Sequence, residues 1–423
     1  TCICSKVLET IISIDLLDFL LKNKLINRNQ HGFLKKHSTC TNLLEALNDW
    51  TISISNHKSV VIGYIDFTRA FDSIPHPKLF YKLQNYGVAG NLLNTISDFL
   101  FQRYQSVRVG SHFSKSCIVT SGVPQGSVLG PLLFNIYVND ISDNFDPSIK
   151  IKLFADDVKL YTELTHRLSA PNFQHHLTKI QSWADTWQIQ ISYSKCNMLQ
   201  LGTAHPLPFH LSSSTLPHPS FVKDLGIIID PSLKLSCHLK DIITRAKQRS
   251  SLIYRCFVSR DITNLVKAFL IYVRPILEYA SPVWSPYLIS QINEIESVQR
   301  GFTKRLPGFS GLSYADRLAN LKLHSLEHRR LISDLTFYYN IIHSHSSLLF
   351  DDFLKFNHNT TSRGHPFRLN LPLIKHNTRK YFFSCRFIRV WNSLPVNIVC
   401  ASTTQQFKKL ILVHDLSEHL IFP

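Results

Sequence analysis

No run of apolar residues in the chain approaches the ~18 needed for a membrane-spanning helix, so no helical membrane anchor is expected. The amino end, which carries Asp15 and Asp18, lacks the layout of a secretory signal. Cysteines are few and scattered: Cys2, Cys4, Cys40, Cys117, Cys196, Cys237, Cys256, Cys385 and Cys400 are odd in number and form no paired short-spaced clusters. That excludes a disulfide framework and a zinc module, Cys2 and Cys4 standing one residue too close for the common spacing. Thiols used in this way pack in cores, which points to a reducing, intracellular compartment. No internal repeat or low-complexity tract is present. A single methionine, Met198, and a first residue Thr1 lead us to expect a fragment of a longer reading frame.

Acidic residues are also scarce, with Asp plus Glu at 29 against Lys plus Arg at 46, a net charge of +17 that favours a polyanionic partner such as nucleic acid. The excess is uneven. The first 238 residues hold 21 basic and 17 acidic side chains, or +4, and the remainder hold 25 and 12, or +13. The polyanion should therefore lie mostly along the second part. The 423 residues, 44% of them hydrophobic and 11% aromatic, suffice for a buried core and suggest two or three domains.

Local patterning then orders the chain. Leu8, Ile11, Ile12, Leu16, Phe19 and Leu20 recur at helical spacing and predict an amphipathic helix over 6–25. A basic loop from Gln30 to Thr39 follows, then a second helix marked by Leu43, Leu44, Leu47, Trp50 and Ile54, with Ser38, Thr39 and Thr41 as caps. Cations beside free helix N–H groups suit a triphosphate; a solvated charge cluster is the alternative. Val60 to Ile65 is an unbroken apolar run, as for a strand covered on both faces, and it ends at Asp66, well placed to hold a metal. A helix is predicted from Pro77 to Gly87 and another over 92–101. Gln105 to Phe113 alternates like a strand, and the loop Ser121 to Ser127 offers glycines for close backbone approach and Gln125 as donor and acceptor.

Next comes an acidic hairpin. Ile149, Ile151 and Leu153 alternate with lysines before Asp156-Asp157, and Val158 and Leu160 flank Lys159 after it. Adjacent carboxylates raise each other's pKa, and a divalent cation relieves the repulsion; a solvated Asp-Asp turn accounts for the same stretch. Beyond it the pattern predicts a helix through Phe173 and Trp187, a strand at Met198 to Leu201, a surface loop from Pro206 to Pro219 and a hairpin from Phe221 to Ile229. From Leu239 the chain turns helical and basic. Lys240, Arg245, Lys247 and Arg249 lie off the apolar stripe of the first helix and are the candidate nucleic-acid contacts. Two helices should follow, from about Asn264 to Tyr279 and from Ile289 to about Lys304. Near the end, Arg379, Lys380, Arg386 and Arg389 interleave with Tyr381, Phe382, Phe383 and Trp391, a composition suited to stacking on single strands or to a packed amphipathic element.

A buried strand ending in Asp66, a glycine-rich loop before a helix and an Asp-Asp hairpin converge on two-metal phosphoryl transfer, whose ions, about 3.5–4 Å apart, need carboxylates from different strands. In order, these stretches resemble the reverse transcriptase of non-LTR (LINE-like) retrotransposons, of the jockey and CR1 types. YIDFTRAFDSI is similar to the first catalytic motif, SGVPQGSVLGPLLFNIYVNDI to the second, LFADDVKLY to the third and FVKDLGIIID to the segment leading out of the palm. YVRPILEYASPVWSPY, IESVQRGFTKRL and YFFSCRFIRVWNSLP extend the likeness over nearly the whole chain.

The resemblance implies an α+β right-hand polymerase with an antiparallel palm sheet: fingers and palm over 1–238, a helical thumb over 239–310 and a basic helical extension over 311–423. It implies RNA-directed DNA polymerase activity with RNA template, DNA primer and dNTPs as partners. Asp66, Asp156 and Asp157 would be the catalytic carboxylates, holding two Mg²⁺ (Mn²⁺ as a substitute) with the Phe67 carbonyl as a further ligand. Phe71 matches the steric gate against a 2′-OH, Gln125 and Gly126 the loop under the incoming base pair, and Lys195 a group facing the departing pyrophosphate. Where relatives carry arginines in the fingers loop this chain has Leu34 and His37, leaving Lys35 and Lys36, which lack arginine's forked geometry. With no endonuclease region or cysteine-histidine knuckle in the sequence, the chain alone is not expected to nick DNA, and nuclear action is expected from the family's habit of priming at chromosomal nicks. The alternatives are an impaired remnant that only binds nucleic acid and a two-metal nuclease.

Overall fold

The structure, a computed structural model, describes residues 2–143, 145–203, 205–357 and 364–422. The chain forms two compact units, Thr1–Asn42 with Lys58–Ser220, and Leu43–His57 with Phe221–Pro423.

The first unit opens with helix α1 (Ile3–Lys22), whose expected apolar stripe is only partly used: Leu16 and Leu20 are buried together with Glu9, whereas Leu8, Ile11 and Phe19 are exposed. Helix α2 (Thr39–Ser55) begins at a reciprocal cap in which Ser38 N donates to Thr41 Oγ1 (2.8 Å) and Thr41 N to Ser38 Oγ (3.2 Å). Its turns from Leu43 onward belong to the second unit. Strand β1 (Ser59–Ile65) is followed by a short helix α3 (Ala70–Ser73), then α4 (His76–Asn85) and α5 (Gly90–Leu100). Instead of one strand over 105–113, four two-residue strands pair as nested ladders: β2 (Tyr104–Gln105) with β5 (Cys117–Ile118), and β3 (Arg108–Val109) with β4 (His112–Phe113). Gly110 breaks the run with φ of +61°, so the alternating residues become an exposed hairpin.

Helix α6 (Gly130–Val138) is buried over almost its whole circumference, because the chain wraps it on every side. β6 (Lys150–Phe154) and β7 (Asp157–Leu164) form the expected hairpin, followed by α7 (Ser169–Trp187) and β8 (Asn197–Leu201). The sheet is antiparallel, in the order β6-β7-β1-β8. The unbroken apolar run of β1 thus sits inside the sheet, and β7 beside it is buried from Val158 to Thr162, Lys159 included, against the alternation predicted for it. The stretch 206–219, expected as a surface loop, carries a small hairpin, β9 (His210–Leu211) and β10 (Ser214–Thr215), that buries Phe209, Leu211 and Leu216; Phe209 meets Phe173 of α7 edge-on at 5.1 Å.

In the second unit a hairpin, β11 (Val222–Asp224) and β12 (Ile227–Ile229), leads into α8 (Ser236–Cys256). The single helix expected over 264–279 is two, α9 (Ile262–Tyr272) and α10 (Arg274–Glu278), because Pro275 cannot continue the first and starts the second. A short α11 (Ser281–Trp284) precedes α12 (Ile289–Lys304), α13 (Tyr314–Leu321) and α14 (Leu326–Ile342). The stretch whose cations and aromatics suited either single-strand stacking or a packed amphipathic element is the packed one, mostly core. Phe382, Phe383 and Trp391 are buried, and Arg386 donates to both Asp334 carboxylate oxygens and to the Pro282 carbonyl. Arg379 is held by Asn48 Oδ1 (2.8 Å), and Tyr381 stacks on Tyr287 at 3.8 Å. Buried guanidinium groups require such partners, and those partners fix the segment as packing.

Candidate active site

Strand β1 delivers Asp66 to its carboxyl end. There the chain crosses a short antiparallel bridge between Phe67 and Ile191, with Thr68 N donating to Gln190 O (2.8 Å) and Ser192 N to Asp66 O (2.8 Å). The ladder uses the groups flanking Phe67 rather than the Phe67 carbonyl. Cys196 Sγ accepts from Asp66 N at 3.4 Å, and burial pushes its thiol up to about 11, so it serves as packing and not as a thiolate ligand.

The β6–β7 hairpin presents the other carboxylates. Phe154 pairs with Asp157, so Ala155 and Asp156 form the tip, Ala155 with φ of +54° and Asp157 exposed as the first residue of β7. Burial raises the Asp156 carboxyl above its ordinary value; Asp66 adds to the rise and Lys195 opposes it, so the three side chains share one electrostatic environment. Lys195 Nζ stands 3.4 Å from Asp66 Oδ1, which is itself buried with no hydrogen bond among the described residues. A buried carboxylate oxygen that accepts no hydrogen bond among the described residues and faces only the Lys195 ammonium, with a second carboxylate sharing its electrostatic environment, is a donor set for a hard divalent cation, so Asp66 and Asp156 fit such an ion. Among the described residues no three His, Cys, Asp or Glu side chains stand close enough to hold an ion unaided, which leaves further ligands to the backbone and to a bound phosphate.

The Ser121–Ser127 loop is zipped to the segment after Asp66. Val123 N donates to Phe71 O (2.9 Å), Gly122 N to Ile74 O (2.8 Å), Ser121 Oγ to Asp72 O (2.9 Å) and Gln125 Nε2 to Asp72 Oδ1 (2.8 Å). Phe71, half-buried, stacks on Phe134 of α6 at 4.1 Å and meets Phe33 of the basic loop edge-on at 6.1 Å. Gln125 and Gly126 are exposed at the loop tip. The N-terminus of α6 is capped from α1, where Glu9 Oε2 accepts from Val128 N (2.6 Å) and Leu129 N (3.1 Å).

The basic loop reaches the acidic turn through its own backbone. His31 N donates to Leu153 O, and Leu153 N to Asn29 O, both at 2.9 Å, while Asn42 Nδ2 also donates to Leu153 O. Lys35 is exposed on this loop, and its carbonyl accepts from His37. The structure thus gathers Asp66, Asp156, Lys195, Phe71 and the 121–127 loop into the first unit. Lys240, Arg245, Lys247 and Arg249 stand exposed on α8 of the second, Arg245 3.2 Å from Asp241. Sequence reasoning missed Glu9, Asp72 and Gln30, single polar residues whose partners lie far away in the chain and which no local periodicity announces.

The family model described as reverse transcriptase (RNA-dependent DNA polymerase) matches residues 1–229. The chain is 28% identical over 314 residues to the probable RNA-directed DNA polymerase from transposon X-element of Drosophila melanogaster, and 27% identical over 315 residues to the RNA-directed DNA polymerase from mobile element jockey of the same organism. Each alignment covers 72% of this chain and 34% of the relative, so the chain spans about a third of the length of the curated relatives it matches. Among solved structures it is similar to telomerase from Candida albicans in complex with the TWJ fragment of telomeric RNA, at 13% identity and a TM-score of 0.41 over 82% of this chain and 53% of that one.

Proposed function

The chain belongs to the reverse transcriptase (RNA-dependent DNA polymerase) family, and we propose that it adds deoxynucleotides to a primer 3′ end on an RNA template by phosphoryl transfer at Asp66 and Asp156. In this reading residues 1–238 are fingers and palm, 239–310 the thumb and 311–423 a basic extension. The observation that carries it is the shared electrostatic environment of Asp66, Asp156 and Lys195, with a buried Asp66 oxygen that accepts no hydrogen bond among the described residues and lies 3.4 Å from the Lys195 ammonium.

Asp66 and Asp156, with Asp157 and the Phe67 carbonyl, would hold two Mg²⁺. Bound there, such ions lower the pKa of the primer 3′-hydroxyl and neutralise charge developing on the triphosphate. The rest of the work falls to the chain. Phe71, braced by Phe134, limits the space beside the sugar, which supports selection against a 2′-OH. Gln125, held by Asp72, and Gly126 offer a platform to the incoming base pair. Lys195, in reach of Asp66, can shift its cation onto the departing pyrophosphate once that carboxylate is neutralised, and Lys35, exposed on the fingers loop, is a cation available to the triphosphate.

The test is primer extension on poly(rA)/oligo(dT) with dTTP and Mg²⁺. Asp66→Asn and Asp156→Asn should each cut the rate by about 1,000-fold or more, since a metal-stabilised transition state is worth several kcal/mol. Duplex binding, followed by fluorescence anisotropy, should stay within about threefold of wild type, because the basic surfaces are untouched. Undiminished extension by Asp156→Asn would remove the site assignment. Duplex binding by a folded wild type that extends nothing would favour the impaired remnant, a reading to which Leu34 and His37 in the fingers loop lend weight.

A further inference from the structure

Gln30 lies at the edge of β6, where its backbone neighbours Asn29 and His31 exchange hydrogen bonds with Leu153 in a parallel bridge. Its side chain is 2% exposed and turns toward the Ala155–Asp156 tip. One amide oxygen, Oε1, accepts from Gly32 N at 2.7 Å and from Ala155 N at 3.0 Å. Two backbone N–H groups on the same atom fix its identity as oxygen, because the amide nitrogen is a donor only. The contact is close enough to dictate its neighbour as well: a Cβ on Gly32 would stand 2.5 Å from Ala155 N. Asn135 of α6 holds the next peptide group by donating to Gly32 O at 2.8 Å.

Ala155 needs such a clamp. It is not glycine, yet it has φ of +54°, a left-handed conformation that costs an alanine free energy and persists only where the surroundings impose it. If the Ala155 amide turned away, the two-residue tip would change conformation and the Asp156 carboxylate would change direction with it.

We propose that Gln30 is a positioning residue for the catalytic turn: by accepting from Gly32 and Ala155 it holds Ala155 left-handed and so fixes the backbone that carries the Asp156 carboxylate at the hairpin tip. The catalytic consequence rests on the polymerase reading above; the geometric one does not. Gln30 touches no reacting group, so it should govern how well the pair holds a cation and how fast chemistry runs, with little effect on nucleotide binding.

The test uses Gln30→Met, which keeps the side-chain length and removes the acceptor, alone and with Ala155→Gly, which adopts positive φ without support. Hydrogen–deuterium exchange of the full chain should show the Gly32 and Ala155 amides exchanging about tenfold faster or more in Gln30→Met, with β1, β7 and β8 as protected as in wild type. Titration with Mn²⁺, followed by its paramagnetic resonance signal, should show affinity lowered by roughly 10- to 100-fold, the usual effect of losing a residue that orients a ligand. In primer extension kcat should fall by a similar factor with KM for dTTP changed less than about threefold, and Ala155→Gly should restore part of the loss. Uniformly faster exchange over the whole sheet would make Gln30 a folding residue and overturn the proposal. So would faster exchange at Ala155 with wild-type Mn²⁺ affinity. If the wild type extends no primer, the polymerase reading fails, while exchange and Mn²⁺ binding still decide the role of Gln30.

Discussion

Gly122 shows how much of the site hangs on single backbone positions. Its φ is +85°, and a Cβ there would lie 2.7 Å from both Cα and the carbonyl oxygen of Asp72. Gly122→Ala therefore has to pry the 121–127 loop from the segment after Asp66, breaking the bonds to Phe71, Asp72 and Ile74, and in addition carries the left-handed strain. We expect a loss of about 2–4 kcal/mol, measured as a lower urea midpoint at unchanged slope. An unchanged midpoint would show that the loop is not held in this way. Residues of this scale differ in how far the sequence exposes them. Asp66 and Asp156 are legible because a carboxylate at the end of an apolar strand breaks a pattern. Gln30 breaks none: its partner Ala155 is 125 residues away, and only the parallel bridge to β6 brings them together. Lys195 was legible by motif resemblance, but its contact with Asp66 depends on the Phe67–Ile191 bridge.

At the scale of elements, an apolar run located β1, apolar–polar alternation located β6 and β7, β8 covers the strand expected at Met198 to Leu201, and the helical spacings located α2, α4, α5 and α7. What failed were periodic stretches whose surroundings override the period. The alternation of 105–113 belongs to a hairpin folded at Gly110; that of β7 is hidden because both faces of the strand are covered from Val158 to Thr162; and of the cations among aromatics at 378–395, Arg386 and Arg379 are held by Asp334 and Asn48, while Lys380 and Arg389 stay exposed. Lys82 is a similar case, a lysine on the buried face of the amphipathic helix α4. Its Nζ donates to the Tyr137 carbonyl and to Asp140 Oδ1 (2.5 Å) and lies 3.7 Å from the centre of the Trp187 ring. Burial lowers its pKa from 10.5 to about 8, with Asp140 opposing the shift. Below about pH 8 the lysine is charged in both states, and the fold bears the whole desolvation cost. Between about 8 and 10.5 the folded lysine is neutral while the unfolded one still binds its proton, so this group's contribution to stability rises with pH. The stability of wild type relative to Lys82→Met should accordingly climb by something on the order of 3 kcal/mol across that window. Urea unfolding of both chains at pH 7 and pH 10.5 checks it, and a pH-independent difference would contradict the shift.

At the scale of the whole molecule, the charge count separates the chemistry from the grip. The segment to residue 238, which carries the carboxylates, has a net charge of +4, and the remainder has +13. Cations that bind phosphate and carboxylates that bind metal are different groups on different elements, so polyanion binding and metal binding can be tested apart. Lys240, Lys247 and Arg249 on α8 are exposed, and Arg245 has Asp241 at 3.2 Å to neutralise part of its charge. Each lysine or arginine that neutralises a duplex phosphate steepens the fall of log K with log salt by about 0.9. Replacing all four by alanine should flatten that slope by roughly 3, with Arg245→Ala alone worth less than Lys247→Ala. Fluorescence anisotropy of a primer–template duplex between about 50 and 200 mM KCl measures it directly. Metal affinity of the Asp66–Asp156 pair, read by Mn²⁺ titration of the same variant, should not change. A slope left as steep as in wild type would move the nucleic-acid surface away from α8, and a lowered Mn²⁺ affinity would mean that grip and chemistry are not separable in this chain.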